Sequence, residues 1–204
     1  LGDVYKRQVQ ERDFFYEQKE NSFTQPNAAV NTKMIAWCCD YLNTSGELRP
    51  ALLEMYCGNG NFTIPLACYF EKVLATEVAK TSIASAKNNC IANQVENIEF
   101  VRLSGKETAC AIRRERTFRR LAEIDLDSYQ FSTVLVDPPR AGLDDDTLAF
   151  IQHFDEILYI SCNPQTLAKN LETLIKNYKI KQFAIFDQFP YTPHCECGVV
   201  LVKH

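Results

Sequence analysis

Leu52-Leu-Glu-Met-Tyr-Cys-Gly-Asn-Gly-Asn-Phe62 is the stretch on which the fold turns. An apolar run reading as a strand over Ala51–Tyr56 enters a Gly-x-Gly turn, and Phe62–Phe70 then reads as a helix. Strand, tight turn and helix in that order bring backbone up to a ligand at the carboxyl end of a parallel sheet. Gly58 and Gly60 supply the conformational freedom such a turn needs. A dinucleotide fingerprint would carry a third glycine three residues after Gly60, and Thr63 stands there. A pyrophosphate has no obvious seat.

Outward from the turn, strands alternate with helices. Helical periodicity over Pro26–Thr44 puts Ala29, Val30, Met34, Ile35 and Cys38 near one face. Strands are expected at Lys72–Glu77, Ile98–Leu103, Phe131–Val136, Ile157–Ile160, Gln182–Asp187 and Gly198–Val202, which with Ala51–Tyr56 makes seven. Helices are expected at Ala79–Asn93, Asp144–Phe154 and Pro164–Asn177, with helix and loop across the charged Lys106–Glu123. This alternation predicts an α/β fold with a mostly parallel, doubly wound sheet. The last two strands are joined by a short loop, which predicts an antiparallel C-terminal edge.

The bulk properties narrow the class. A chain of 204 residues, 46% hydrophobic and 24% charged, buries a full core without staples. No run of 18 apolar residues and no leader pattern occurs, so a cytoplasmic protein without membrane contact is expected. Nine cysteines, an odd number with no C-x-x-C, argue for reduced thiols and for no metal, despite Cys195 and Cys197 beside His194. The net charge of −4 is weak evidence about nucleic acid either way. Arg113, Arg114, Arg116, Arg119 and Arg120 form the conspicuous basic cluster, which reads as a solvated face more readily than as an RNA contact. The opening string LGDVYKRQ lacks an initiator Met and resembles a translated sequencing-adaptor remnant. It is set aside, and the natural chain is expected to begin upstream of Val9.

Four further features carry chemistry. Glu77 ends the second strand, 19 residues past Gly58, where a carboxylate accepts hydrogen bonds from ribose hydroxyls. An acid at the first strand's end, the Gly-x-Gly turn and this second acid describe an S-adenosylmethionine pocket better than a nicotinamide one. Val136-Asp-Pro-Pro-Arg-Ala-Gly-Leu143 leaves the fourth strand through two stiffening prolines, with Arg140 placed to meet a phosphate or a base edge. Cys162, in Ile160-Ser-Cys-Asn-Pro164, stands where a strand gives way to a helix, so helix-terminus charge is expected to favour its thiolate. Phe186-Asp-Gln-Phe-Pro-Tyr-Thr-Pro-His-Cys-Glu-Cys-Gly198 brings Glu196 to the start of the last strand, with rings available to stack a splayed-out base.

In this order the motifs resemble those of the tRNA (uracil-5-)-methyltransferase family, from about Asn21 to the C-terminus. Those carrying the likeness are Ser22-Phe-Thr-Gln-Pro-Asn27, Tyr56-Cys-Gly-Asn-Gly-Asn-Phe62, Asp137-Pro-Pro-Arg-Ala-Gly-Leu143, Ser161-Cys-Asn-Pro164 and Asp187-Gln-Phe-Pro-Tyr-Thr-Pro-His-Cys-Glu-Cys-Gly198. The resemblance implies a Rossmann-like class I methyltransferase domain over 21–204, with 1–20 a fragment of a preceding region. It implies S-adenosylmethionine as co-substrate, contacted by Gln25, Tyr56, Asn61, Glu77 and Asp137, with no metal. It implies Cys162 as nucleophile and Glu196 as base in converting uridine 54 of the tRNA T-loop to 5-methyluridine, through a covalent adduct of Cys162 with C6. The implied partner is the tRNA T-arm, or another RNA with a T-loop-like fold, bound by a monomer. The 23S rRNA enzymes are the nearest alternative, and the strings F-T-Q-P-N and D-Q-F-P-Y-T-P-H favour the tRNA branch. A nicotinamide oxidoreductase leaves Cys162 and Glu196 without a joint role, and a non-catalytic RNA-binding or folding protein has no need of either.

Overall fold

A computed structural model of the protein describes residues 2–19, 25–192 and 194–204. Strands β1 (Gly2–Val9) and β2 (Arg12–Lys19) form an antiparallel hairpin, followed by helix α1 (Ala28–Leu42). The remaining elements alternate: β3 (Arg49–Met55), α2 (Thr63–Leu66), β4 (Phe70–Glu77), α3 (Lys80–Ala92), β5 (Ile98–Arg102), α4 (Gly105–Ile112), β6 (Phe131–Val136), α5 (Asp145–Ile151), β7 (Glu156–Ser161), α6 (Pro164–Leu174), β8 (Tyr178–Phe186) and β9 (Glu196–Lys203).

The last seven strands form one sheet in the order β5-β4-β3-β6-β7-β9-β8. Every pairing from β5 to β7 is parallel, and β9 runs antiparallel between β7 and β8. The α/β architecture expected from sequence is therefore present, with its antiparallel edge. Ala51 to Met55 are all buried, as a strand covered on both faces requires. Leu52 joins a core with α1, α3 and the hairpin, while its neighbour Leu53 joins a second core with α4, α5 and α6. Alternation along one strand thus builds a three-layer molecule. From β3 the chain winds outward to β5, then returns past β3 to continue through β6. The crevice between the carboxyl ends of β3 and β6 is the switch point of the sheet.

Local chemistry sets the element ends. Asn27 caps α1 by accepting from the Val30 amide at 3.2 Å, and Ser104 and Glu107 close a capping box on α4. Phe62–Phe70 is not one helix: α2 stops at Leu66, a single 3-10 turn follows, and Phe70 already pairs with Arg49. The N-terminal string set aside from sequence also takes part. Gly2–Val9 pairs along the whole of β2, and Val9, Phe14 and Tyr16 are buried in the core shared with α1. Ser22, Phe23 and Thr24 lie outside the described residues. No helix among the described residues is long and apolar enough to cross a membrane.

Candidate active site

The carboxyl ends of β3, β4, β6 and β7 lie along one edge of the sheet, and antiparallel β9 begins there. In the β7–β9 register Ser161 faces Cys197, so one residue further Cys162 comes opposite Glu196. Asp137 follows Val136, which pairs with Tyr159 two residues before Ser161. A cleft of about 660 Å³ opens on this edge. All seven residues singled out from sequence line it: Gln25, Tyr56, Asn61, Glu77, Asp137, Cys162 and Glu196.

At one end the backbone is held against Glu77. Its carboxylate accepts from the Gly58 amide at 3.2 Å and from the Ala79 amide at 2.8 Å, tying the Gly turn to the start of α3. Gly58 and Gly60 have φ of +55° and +85°, the left-handed region that favours glycine. Tyr56 also has a positive φ, +65°, and strain of this kind in a non-glycine residue collects at functional sites. The amides of Asn61 and Asn31 pair at 2.8 and 3.0 Å, and Arg7 donates to Asn61 Oδ1 at 2.6 Å. Gln25 Oε1 accepts from Gln188 Nε2 at 2.8 Å. Asn31 and Gln188, both buried, were not legible from sequence. Gln188 lies within a motif whose aromatic rings are its more conspicuous feature.

The other end is acidic. Burial pushes Glu54 up to about 8, with the Asp137 charge adding to it. Burial likewise raises Glu196 to about 7. Asp137 is held well above the usual carboxylate range by burial first and Glu196 second. The Cys162 thiol also moves upward, against the expectation from its place before a helix. Burial, Glu196 and Asp137 raise it, and Arg140 pulls it down. The helix terminus is spent elsewhere: Asn163 caps α6 by accepting from the Gln165 amide at 3.1 Å, one residue beyond Cys162.

One face of α6 clamps the loop after β6. Asn163 Nδ2 donates to the Arg140 carbonyl at 3.0 Å and Thr166 Oγ1 to the same oxygen at 3.4 Å. Asn170 Oδ1 accepts from the Leu143 amide at 3.2 Å and from the Tyr159 hydroxyl at 2.8 Å. The Arg140 guanidinium lies 2.8 Å from His194 Nδ1, two residues before Glu196. The loop bearing Asp137, the nucleophile candidate and the base candidate are thereby latched together.

Packing corrects the expectation for the aromatic rings and agrees with that for the basic cluster. Phe186 meets Trp37 edge-on at 6.0 Å and Phe189 meets His194 at 6.3 Å, while Tyr191 is fully exposed; none of these rings lines the cleft. The cleft's aromatic walls are Tyr5, Tyr56 and Phe62. In the basic cluster, Arg114 pairs with Asp127 and Arg120 with Glu107 at 2.7 Å, while Arg113 and Arg116 stack on Phe150 and Phe118. That is a self-paired surface.

Sheet order, Gly turn and acid-lined switch-point cleft together define a Rossmann-like class I methyltransferase domain. The sequence profile described as tRNA (Uracil-5-)-methyltransferase matches residues 4–204. The tRNA/tmRNA (uracil-C(5))-methyltransferase of a Nitratiruptor species is 57% identical over 206 residues, all of this chain and 56% of that protein. The protein of the same name from Saccharophagus degradans is 57% identical over 190 residues, 93% of this chain and 51% of its own. The crystal structure of Pyrococcus abyssi tRNA (uracil-54, C5)-methyltransferase in complex with S-adenosyl-L-homocysteine superposes with a TM-score of 0.74 at 29% identity, covering 98% of this chain and 44% of that one. The chain belongs to the tRNA (uracil-5-)-methyltransferase family. It spans about half the length of the curated relatives it matches.

Proposed function

We propose that the chain is the catalytic part of an S-adenosylmethionine-dependent enzyme that methylates C5 of uridine 54 in the T-loop of tRNA, and of tmRNA, in the cytoplasm. The observation that supports this reading is the shared cleft, with Cys162 and Glu196 each one residue beyond the last β7–β9 pair, Ser161 with Cys197. The unit 21–204 would be the catalytic domain, acting as a monomer on the T-arm.

The residues present suit the co-substrate, which supplies a methyl group on a positively charged sulfur. Glu54 Oε2 and Glu196 Oε2 are buried with no hydrogen-bond partner, and four carboxyl side chains line the cleft. A cation is the natural occupant of such a wall. Glu77 would take the ribose, while Gln25, Tyr56, Asn61 and Asp137 line the remainder.

Uracil C5 is too poor a nucleophile to take a methyl group unaided. Cys162, once deprotonated, gives an electron pair to C6, and the C5=C6 pair moves through C4 onto O4. C5 then attacks the methyl carbon, the methyl–sulfur bond breaks, and the sulfur keeps that electron pair as the neutral thioether of S-adenosylhomocysteine. The adduct carries both methyl and hydrogen on C5, so Glu196 removes that proton and the C6–S bond breaks, restoring the ring and the thiolate. A carboxyl raised to about 7 is suited to accepting a proton and releasing it near neutrality. The target base must leave its stack, which costs a few kcal/mol and least in a loop.

Mapping the methylated nucleotide in tRNA, tmRNA and 23S rRNA incubated with the protein and labelled co-substrate tests the assignment. Label at uridine 54 of tRNA and at the matching uridine of the tmRNA T-loop is expected. Label confined to 23S rRNA would put the protein in the other branch.

A further inference from the structure

Gln188 lies in the loop between β8 and β9 and is 1% exposed, yet its Oε1 has no hydrogen-bond partner among the described residues. An acceptor left unpaired away from water destabilises the fold. A methionine, unbranched and of nearly the same length, would fill the space without that penalty. The amide therefore needs a reason other than packing.

Its nitrogen supplies one. Gln188 Nε2 donates to Gln25 Oε1 at 2.8 Å, across 163 positions of the chain. Both partners stand on fixed backbone. The Gln188 amide donates to the Phe186 carbonyl at 2.9 Å, and Phe186 packs edge-on against Trp37 of α1. Gln188 Nε2 also lies 3.9 Å from Met34 Sδ on the same helix. Gln25 precedes Pro26, which restricts it to extended backbone, and Asn27 then caps α1. Gln25 lines the cleft, whereas Gln188 is not among its described lining residues. Gln188 can thus reach a ligand only through Gln25.

We propose that Gln188 is a positioning residue of the co-substrate pocket, holding the Gln25 side chain in one rotamer before S-adenosylmethionine arrives. The proposal rests on the reading of Gln25 as a co-substrate contact. A free glutamine side chain has several rotatable bonds to freeze when it takes a ligand, and a prior bond to a buried partner removes that cost from binding. The unpaired oxygen on Gln188 is the stability lost in exchange.

The test measures S-adenosylhomocysteine affinity by calorimetry in wild type, Gln188→Met, Gln25→Ala and the double variant, with a thermal melt of each. Gln188→Met should bind about threefold to tenfold more weakly. It should melt no lower than wild type, since the unpaired oxygen leaves with the amide. The double variant should bind as Gln25→Ala does, because Gln188 then has nothing to hold. In turnover with a T-loop RNA, KM for S-adenosylmethionine should rise in Gln188→Met while kcat stays. A lower melting temperature in Gln188→Met makes the residue a packing element and overturns the proposal. So do a fall in kcat with KM unchanged, and losses that multiply in the double variant. If Gln25→Ala binds weakly but Gln188→Met binds as wild type does, Gln188 alone is overturned. If wild type shows no affinity, or Gln25→Ala binds as tightly as wild type, the reading of Gln25 fails and Gln188 falls with it.

Discussion

A buried carboxyl group with an unpartnered oxygen costs stability, and Glu54 is such a group. Its ordinary value of 4.5 applies to the unfolded chain and about 8 to the folded one. Below about 4.5 both states are protonated and the residue is neutral in effect. As pH rises toward 8 the unfolded chain releases its proton first, so the contribution of Glu54 to stability falls across that window. The melting temperature of Glu54→Gln relative to wild type should accordingly climb between about pH 5 and 8. A flat difference would show that the acid is already charged in the folded state. The same titration bears on the co-substrate. Because the sulfonium is cationic and the sulfur of S-adenosylhomocysteine is neutral, the ratio of S-adenosylmethionine affinity to S-adenosylhomocysteine affinity should rise with pH in wild type and rise less steeply in Glu54→Gln, where Glu196 still titrates. Titration calorimetry at several pH values reads it, and a ratio independent of pH in wild type contradicts the electrostatic picture of the cleft.

At the scale of elements, α6 fixes the reactive loops. Asn163, Thr166 and Asn170 recur at near-helical spacing on one face, and each bonds to the loop after β6 or to β7 behind it. Asn170→Leu would leave the Leu143 amide and the Tyr159 hydroxyl unpaired in a buried setting, at a cost of about 1–3 kcal/mol each. A denaturant melt should therefore show a clear loss, and an unchanged midpoint would mean the loop is held by something else. None of this ladder was visible in the sequence, because Asn and Thr in a helix announce no partner. The strands were visible, since the runs Ala51–Leu53 and Val134–Val136 are continuously apolar, as a parallel sheet buried on both faces requires. The candidate site was legible where residue types are chemically distinctive, as with Cys162 after a strand and Glu196 at the start of one. It was illegible where function depends on distant pairing: Gln188 reaches Gln25 and Asn31 reaches Asn61 only once α1 packs against the sheet edge. The expected thiolate failed for a related reason. Sequence places Cys162 beside a helix start but gives no sign that Glu196 and Asp137 close around it.

For the whole molecule, charge is the useful variable. A net charge of −4 leaves phosphate recognition to local patches, and the arginine cluster is a poor one because Arg114 and Arg120 are already spent on Asp127 and Glu107. The salt dependence of RNA binding should be the same for wild type and for the Arg114→Ala, Arg120→Ala double variant. A slope shallower by about one per residue would mean that both arginines neutralise phosphates.

The claim that organises the molecule is that its sheet edge holds a nucleophile and a base acting in sequence on one uracil. A denaturing gel of T-loop RNA with wild type, Cys162→Ala and Glu196→Gln, each with S-adenosylmethionine, tests it most directly. Cys162→Ala should give neither a shifted band nor methyl transfer. Glu196→Gln should stall as a methylated protein–RNA adduct, the state in which 5-fluorouridine RNA, having no C5 proton to lose, should trap the wild type. A shifted band from Cys162→Ala, or wild-type turnover by Glu196→Gln, would contradict it.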